Sequence, residues 1–239
     1  MHQYFADEPL TVGCEYIFNK EQAHHAGNVL HLSHERIRLV YKGQGYYAEG
    51  YPKDKGFAAM VLEEDNERRE LPVKITLVLA LIRREKMELA LQKAAELGAS
   101  RIVPFVSSRC VVQEKHDRQS RQKERWQTIL REASAQCKRD LIPELTDTVK
   151  FKDLGKYASA LNLAAYENHF SSGSFISGHT LPGSVTLVIG PEGGFSEEEV
   201  RALEEMGYEP VTFGPRILRA ETAVFYGLSV LGELAENAQ

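Results

Sequence analysis

The rhythm of apolar and polar positions changes once along this chain. Up to residue 62 the apolar residues come in short runs, EYIF, RIRLVY, GYYAEGY and FAAMVLEE, separated by glycine and polar turns. Such runs predict a small β-rich unit, read here as a barrel, with HHAGNVLHL as its helical turn. Eight polar residues, EEDNERRE at 63–70, then precede Pro72 and read as a linker or exposed turn.

Beyond that break the runs lengthen. VKITLVLAL (73–81) is almost continuously apolar, the pattern of a strand covered on both faces. EKMELALQKAAEL follows, with Met87, Leu91, Ala94 and Ala95 on one helical stripe and Gly98 as a stop. RIVPFV is a second strand, and 119–139 is a longer helix carrying Trp126, Ile129, Leu130, Ala133 and Cys137 at helical spacing. Buried strands are predicted at LNLAAY (161–166), VTLVIG (185–190) and PVTF (210–213). Between the last two, Ser196 and Glu199 form a capping box for a helix that Gly207 closes, and a final helix spans about 221–236. Strands alternating with helices predict an α/β fold with a mainly parallel sheet, so the chain divides into domains at 1–70 and 71–239.

Composition adds modest limits. The 239 residues carry 29 basic and 34 acidic side chains, a net −5. No apolar stretch is long enough to span a bilayer, and the first twenty residues lack the pattern of a signal peptide. The three cysteines form no C-x-x-C pair, which fits a reducing compartment and predicts a cytoplasmic protein without a cysteine metal site. The total charge hides an uneven distribution: residues 1–70 sum to −4, residues 71–150 to +6 and residues 151–239 to −7. A basic middle can serve a polyanion, or it can simply solvate a helix face at 115–125.

Two segments could carry chemistry. IGPEGGFS (189–196) lies at the carboxyl end of a predicted strand, just before a capped helix, where open α/β sheets bind ligands. It is neither a Walker loop nor a G-x-G-x-x-G fingerprint. FGPRILRAETA (213–223) again joins a strand end to a helix and brings Arg216 and Arg219 beside the turn. Each could be only a tight strand–helix connection; together they point to one shared pocket. Gly43, Gly45 and Ala48 match a degenerate dinucleotide fingerprint but lack a following helix, and His24, His25, His31 and His34 lack the spacing of a metal site. No metal is expected, and no nucleophile elbow is present.

IGPEGGFS and FGPRILRAETA together resemble the ribosomal RNA small-subunit methyltransferase E family, within the SPOUT methyltransferases. The resemblance extends to QKAAELGASRIVPFVSSRC (92–110), EASAQCKRDLIPEL (132–145) and HHAGNVL (24–30), and so covers nearly the whole chain. It implies an N-terminal PUA-like RNA-binding β-barrel, a C-terminal SPOUT domain with a trefoil knot, and a homodimer. It also implies S-adenosylmethionine-dependent methylation of N3 of one uridine in the decoding region of 16S ribosomal RNA.

Matched motif by motif, the resemblance implies cofactor contacts from Ile189, Gly190, Glu192, Gly193, Phe213, Gly214, Ile217, Leu218 and Thr222, with Leu163 or a neighbour against the adenine. Arg219 is the implied catalytic cation. Glu221 is either the proton acceptor or a partner of the helix dipole. Lys93, Arg109, Gln136 and Arg139 are the implied RNA contacts, though Lys93 and Arg109 could equally brace the fold. Gln3 and His31 stand where the family usually has arginine, and Ala220 where it has threonine, so RNA contacts of the N-terminal domain are expected to differ more than cofactor contacts. Two rival readings remain at this point: a SPOUT methyltransferase for another ribosomal or transfer RNA site, and a non-catalytic RNA-binding or ribosome-assembly protein.

Overall fold

Continuous apolar runs need cover on both faces, and the computed structural model, which describes residues 1–110, 119–167 and 174–237, supplies it. Two units are distinguished: Met1–Glu70 with Ser134–Leu141, and Leu71–Ala133 with Ile142–Gln239.

In the first unit, β1 (Gln3–Phe5) runs parallel to β3 (Glu35–Tyr41). β3, β4 (Gln44–Lys53) and β5 (Gly56–Asp65) form an antiparallel meander, and β2 (Glu15–Ile17) adds to the far side of β5. The order is β1-β3-β4-β5-β2, so β1 and β2 are edges of an open ladder, whereas the short apolar runs predict a closed barrel. A short helix, α1 (Lys20–His24), continues into a single π-helical turn at His25–Val29. Tyr4, Phe18 and Phe57 pack edge to face beneath the sheet, with ring centroids 4.9 and 5.2 Å apart.

A buried charge cluster organises this unit. Arg38 of β3 is fully buried; its Nε donates to Asp65 Oδ2 at 2.6 Å and its Nη1 to Gln3 Oε1 at 2.8 Å, while Nη2 pairs with Asp140. Gln3 in turn donates to the Arg139 carbonyl at 2.7 Å. The guanidinium lies against the backbone of β4, where a Cβ on Gly45 would come within 2.1 Å of Nη2, so only glycine leaves room. Burial works against the Asp65 charge, but the Arg38 hydrogen bond, the Glu67 amide and the charges of Arg38 and Arg69 outweigh it and hold the carboxyl below its ordinary range. The segment that reads as an exposed linker therefore contains two anchors. Asp65 ends β5, and Glu70 accepts from the Arg139 guanidinium at 2.6 Å and from the Asp140 and Leu141 amides at 2.9 and 3.0 Å.

The second unit is an eight-stranded, wholly parallel sheet. Its strands are β6 (Lys74–Ala80), β7 (Ala99–Val106), β8 (Glu144–Leu145), β9 (Val149–Lys150), β10 (Leu161–Ala165), β11 (Ser174–Phe175), β12 (Ser184–Ile189) and β13 (Glu209–Thr212). The main path is β11-β13-β10-β12-β6-β7-β8, with β9 also on β7. Period-two alternation along β6 sends Ile75, Leu77 and Leu79 to one layer and Val78 and Ala80 to the other. The first layer is filled from α2 (Arg84–Glu96), α3 (Gln119–Gln136) and α5 (Ala220–Glu236), the second from α4 (Glu197–Glu205) and a 3-10 helix at Phe151–Tyr157. The expected long helix thus stops at Gln136, before Arg139. No helix among the described residues is long and apolar enough to cross a membrane.

Removing one acid from the Arg38 cluster would leave a buried cation short of a partner. Asp65→Ala should lower unfolding free energy by about 3–5 kcal/mol, read as a lowered urea midpoint; an unchanged midpoint would refute the anchoring role.

Candidate functional site

The carboxyl ends of β10, β12 and β13 open onto one cleft. The 190–195 loop leaves β12, the 213–219 loop leaves β13, and Ala165, Tyr166 and Glu167 lie at the exit of β10. Their walls form a concave site that stays open to solvent. The two glycine–proline loops therefore do share a pocket. Ile189, Gly190, Glu192, Phe213, Gly214, Ile217 and Leu218 line it. Ile217 is 82% exposed where it lines the cleft.

Other expected residues stand elsewhere. Leu163 is fully buried, pairs with Leu187 across β10 and β12, and fills the apolar layer; its place on the cleft wall is taken by Ala165 and Tyr166, nearer the strand end. Gly193 lies beside the cleft rather than on its wall, and its carbonyl accepts from Arg109. Thr222 is exposed on the first turn of α5 and does not line the cleft. Arg219 is exposed at the N-cap of α5, whereas Arg216 is the arginine on the wall. Glu221 is buried at the start of α5, with Oε2 3.6 Å from Lys86 Nζ.

The glycine loop is held from behind by residues that spacing could not single out. Glu199 closes the capping box of α4: Ser196 Oγ accepts from the Glu199 amide at 3.1 Å, and Glu199 Oε2 accepts from the Ser196 amide at 3.0 Å. Its second oxygen accepts from Ser107 Oγ and the Ser108 amide, both at 2.9 Å. The turn after β7 is thereby fastened to the helix that follows the loop. From that turn Arg109 donates to the Gly193 and Phe195 carbonyls at 3.2 and 3.3 Å. On the other side, Glu192 Oε1 accepts from the Arg83 amide at 3.1 Å, tying the loop to the start of α2.

The implied RNA contacts separate into two groups. Gln136 is exposed, and Lys93 is half-buried and paired with Glu96 at 2.8 Å. Arg109 is exposed but engaged on the loop carbonyls. Arg139 is only 3% exposed, and its guanidinium meets Glu70, so its position is that of a structural anchor. Gln3 is likewise inside the Arg38 cluster, which removes position 3 from the surface. Four cations of the basic middle are paired with acids of the same segment, Arg84 and Arg125 with Glu88, Arg101 with Glu144 and Lys123 with Asp147. Residues 115–118 of the proposed basic helix face lie outside the described residues. Among the described residues no three His, Cys, Asp or Glu side chains gather as metal ligands; His25 meets Tyr4 and His34 meets Glu49.

Glu199 makes the scaffold sensitive to pH. Burial raises its pKa, but hydrogen bonds from the Ser196 and Ser108 amides and the Ser107 hydroxyl outweigh burial and hold it below the ordinary glutamate value. A depressed carboxylate pKa contributes stability that is complete above the unfolded value and disappears as pH falls through the folded one. Glu199→Ala should cost about 2–3 kcal/mol at neutral pH, with the gap to wild type closing in acid. Thermal melts across pH test this; a pH-independent gap would contradict it.

Similarity to known proteins agrees with this geometry. Residues 69–232 match the family model described as an RNA methyltransferase domain. The ribosomal RNA small subunit methyltransferase E of Bacillus subtilis is 31% identical over 99% of this chain and 98% of its own. The Neisseria gonorrhoeae ribosomal RNA small subunit methyltransferase E, solved bound to S-adenosyl methionine, superposes with a TM-score of 0.90 at 28% identity, covering 98% of each chain. The Legionella pneumophila protein Lpg2936, solved in complex with the cofactor SAM, gives 0.88 at 31% identity over 97% of this chain and 96% of its own. With its two loops meeting in one cleft and its similarity running from end to end, the chain belongs to the ribosomal RNA small subunit methyltransferase E family.

Proposed function

We propose that this protein uses S-adenosylmethionine to methylate N3 of a specific uridine in the decoding region of 16S ribosomal RNA. The observation that carries this reading is the cleft itself, built from both family loops and backed by a rigid scaffold. Its residues fit the cofactor: Ile189, Leu218 and Phe213 offer an apolar wall for a purine, Gly190 and Gly214 leave backbone groups accessible, and acidic Glu192 suits a cationic ligand. Gly193 and Thr222 would act from beside the cleft. Bound there, S-adenosylmethionine would supply a methyl group already activated by its sulfonium.

The protein's own task is then alignment and charge. Uracil N3 becomes a good nucleophile only as an anion, so a cation is needed beside the ring. Arg219 is our candidate: it is exposed at the cap of α5, next to the loop that lines the cleft. Glu221 is better assigned to holding that helix start, through the dipole and Lys86, than to accepting the substrate proton. Lys93, Arg109 and Gln136 are proposed to contact RNA, with Arg139 acting indirectly by fixing residues 138–141. A PUA-like role in RNA binding for residues 1–70, a SPOUT trefoil knot within 71–239, a homodimeric state and a cytoplasmic location complete the proposal.

Arg219→Ala should lower tritiated methyl transfer to small-subunit RNA by at least about a hundredfold, with cofactor affinity within about threefold of wild type. Retained turnover would remove Arg219 from the chemistry, and failure of the wild type to label this RNA would overturn the proposed reaction.

A further inference from the structure

The acidic groups on the cleft wall differ in how they are engaged. Glu192 has one carboxylate oxygen on the Arg83 amide and the other shut off from solvent. Glu167, just beyond β10, is exposed and has no hydrogen-bond or ion-pair partner among the described residues. Its carboxylate lies close to Gly194. A Cβ built on Gly194 would lie 2.3 Å from Glu167 Oε1 and 3.2 Å from its carboxyl carbon. Gly194 has φ +66°, a conformation strained for most side chains, and its missing Cβ leaves the space that the Glu167 carboxyl occupies.

A carboxylate placed this way offers two acceptor oxygens and no donor, which matches a pair of adjacent hydroxyls. Ala165, two residues earlier on the same chain segment, belongs to the apolar part of the wall with Ile189 and Leu218. Glu167 thus stands on the same cleft wall as that apolar part, at the outer end of β10. We propose that Glu167 is a cofactor-positioning residue whose carboxylate accepts hydrogen bonds from the ribose 2′ and 3′ hydroxyls of S-adenosylmethionine, with Gly194 leaving it room on the cleft wall. This assignment rests on the cofactor reading above.

The test is calorimetric binding of S-adenosylmethionine, S-adenosylhomocysteine and the 2′-deoxy and 3′-deoxy forms of the latter to wild type and Glu167→Ala. Because Glu167 is exposed, the variant should melt with wild type. Wild type should bind each deoxy analogue about tenfold more weakly than the parent, and Glu167→Ala should bind the parent about tenfold more weakly than wild type while no longer distinguishing the analogues. Wild-type affinity in the variant, or discrimination that survives the substitution, would overturn the assignment. A wild type that binds neither S-adenosylmethionine nor S-adenosylhomocysteine would overturn the cofactor reading itself, and this assignment with it.

Discussion

A parallel sheet covered by helices on both faces has only its strand ends free for chemistry, and this constraint governs the C-terminal unit. β6, β10 and β12 have no polar face to spare, because their residues alternate between two apolar layers. Binding groups must therefore come from the backbone and side chains of the connections. Such connections are soft unless something fastens them. Here the fastener is one carboxylate, Glu199, which satisfies the N-terminus of α4 and the turn after β7 at once. Arg109 and Glu192 then hold the glycine loop from opposite sides. A preorganised cleft loses little freedom when it binds, which is what a methyl donor needing precise alignment requires.

The sequence pattern was sufficient for the long strands and helices because burial is written into their periodicity. VKITLVLAL became β6, and the Ser196–Glu199 box begins α4 as its spacing implies. The two-residue strands β8, β9 and β11 are too short to carry any period. Contacts between distant residues were equally invisible. Arg38 meets acids 27 and 102 positions away, so nothing local distinguished Asp65 and Asp140 from surface charges. The same limit explains Arg139, which sits in a family-like basic motif yet spends its charge on Glu70. In the cleft, Glu167 lies beside Gly194 of another loop, a neighbourhood that no spacing along the chain displays.

The uneven charge along the chain also takes on a different meaning. The +6 of residues 71–150 first suggests a basic strip for a polyanion. Arg84, Arg101, Lys123 and Arg125 pair with Glu88, Glu144 and Asp147 of the same segment, so those pairs are already counted in the sum and leave the surplus intact, whereas Arg139 spends its charge on Glu70 outside it. In the proposed function, RNA affinity then depends on the cations outside those pairs. Phosphate contacts set register, so a small number in the right places suffices.

The proposed reaction takes place at one atom of one nucleotide, and the RNA reports it directly. Mass spectrometry of 16S ribosomal RNA from a strain lacking this gene should show loss of N3-methyluridine from the decoding region, with its return when the gene is restored. An unchanged modification spectrum in the deletion strain would contradict the account.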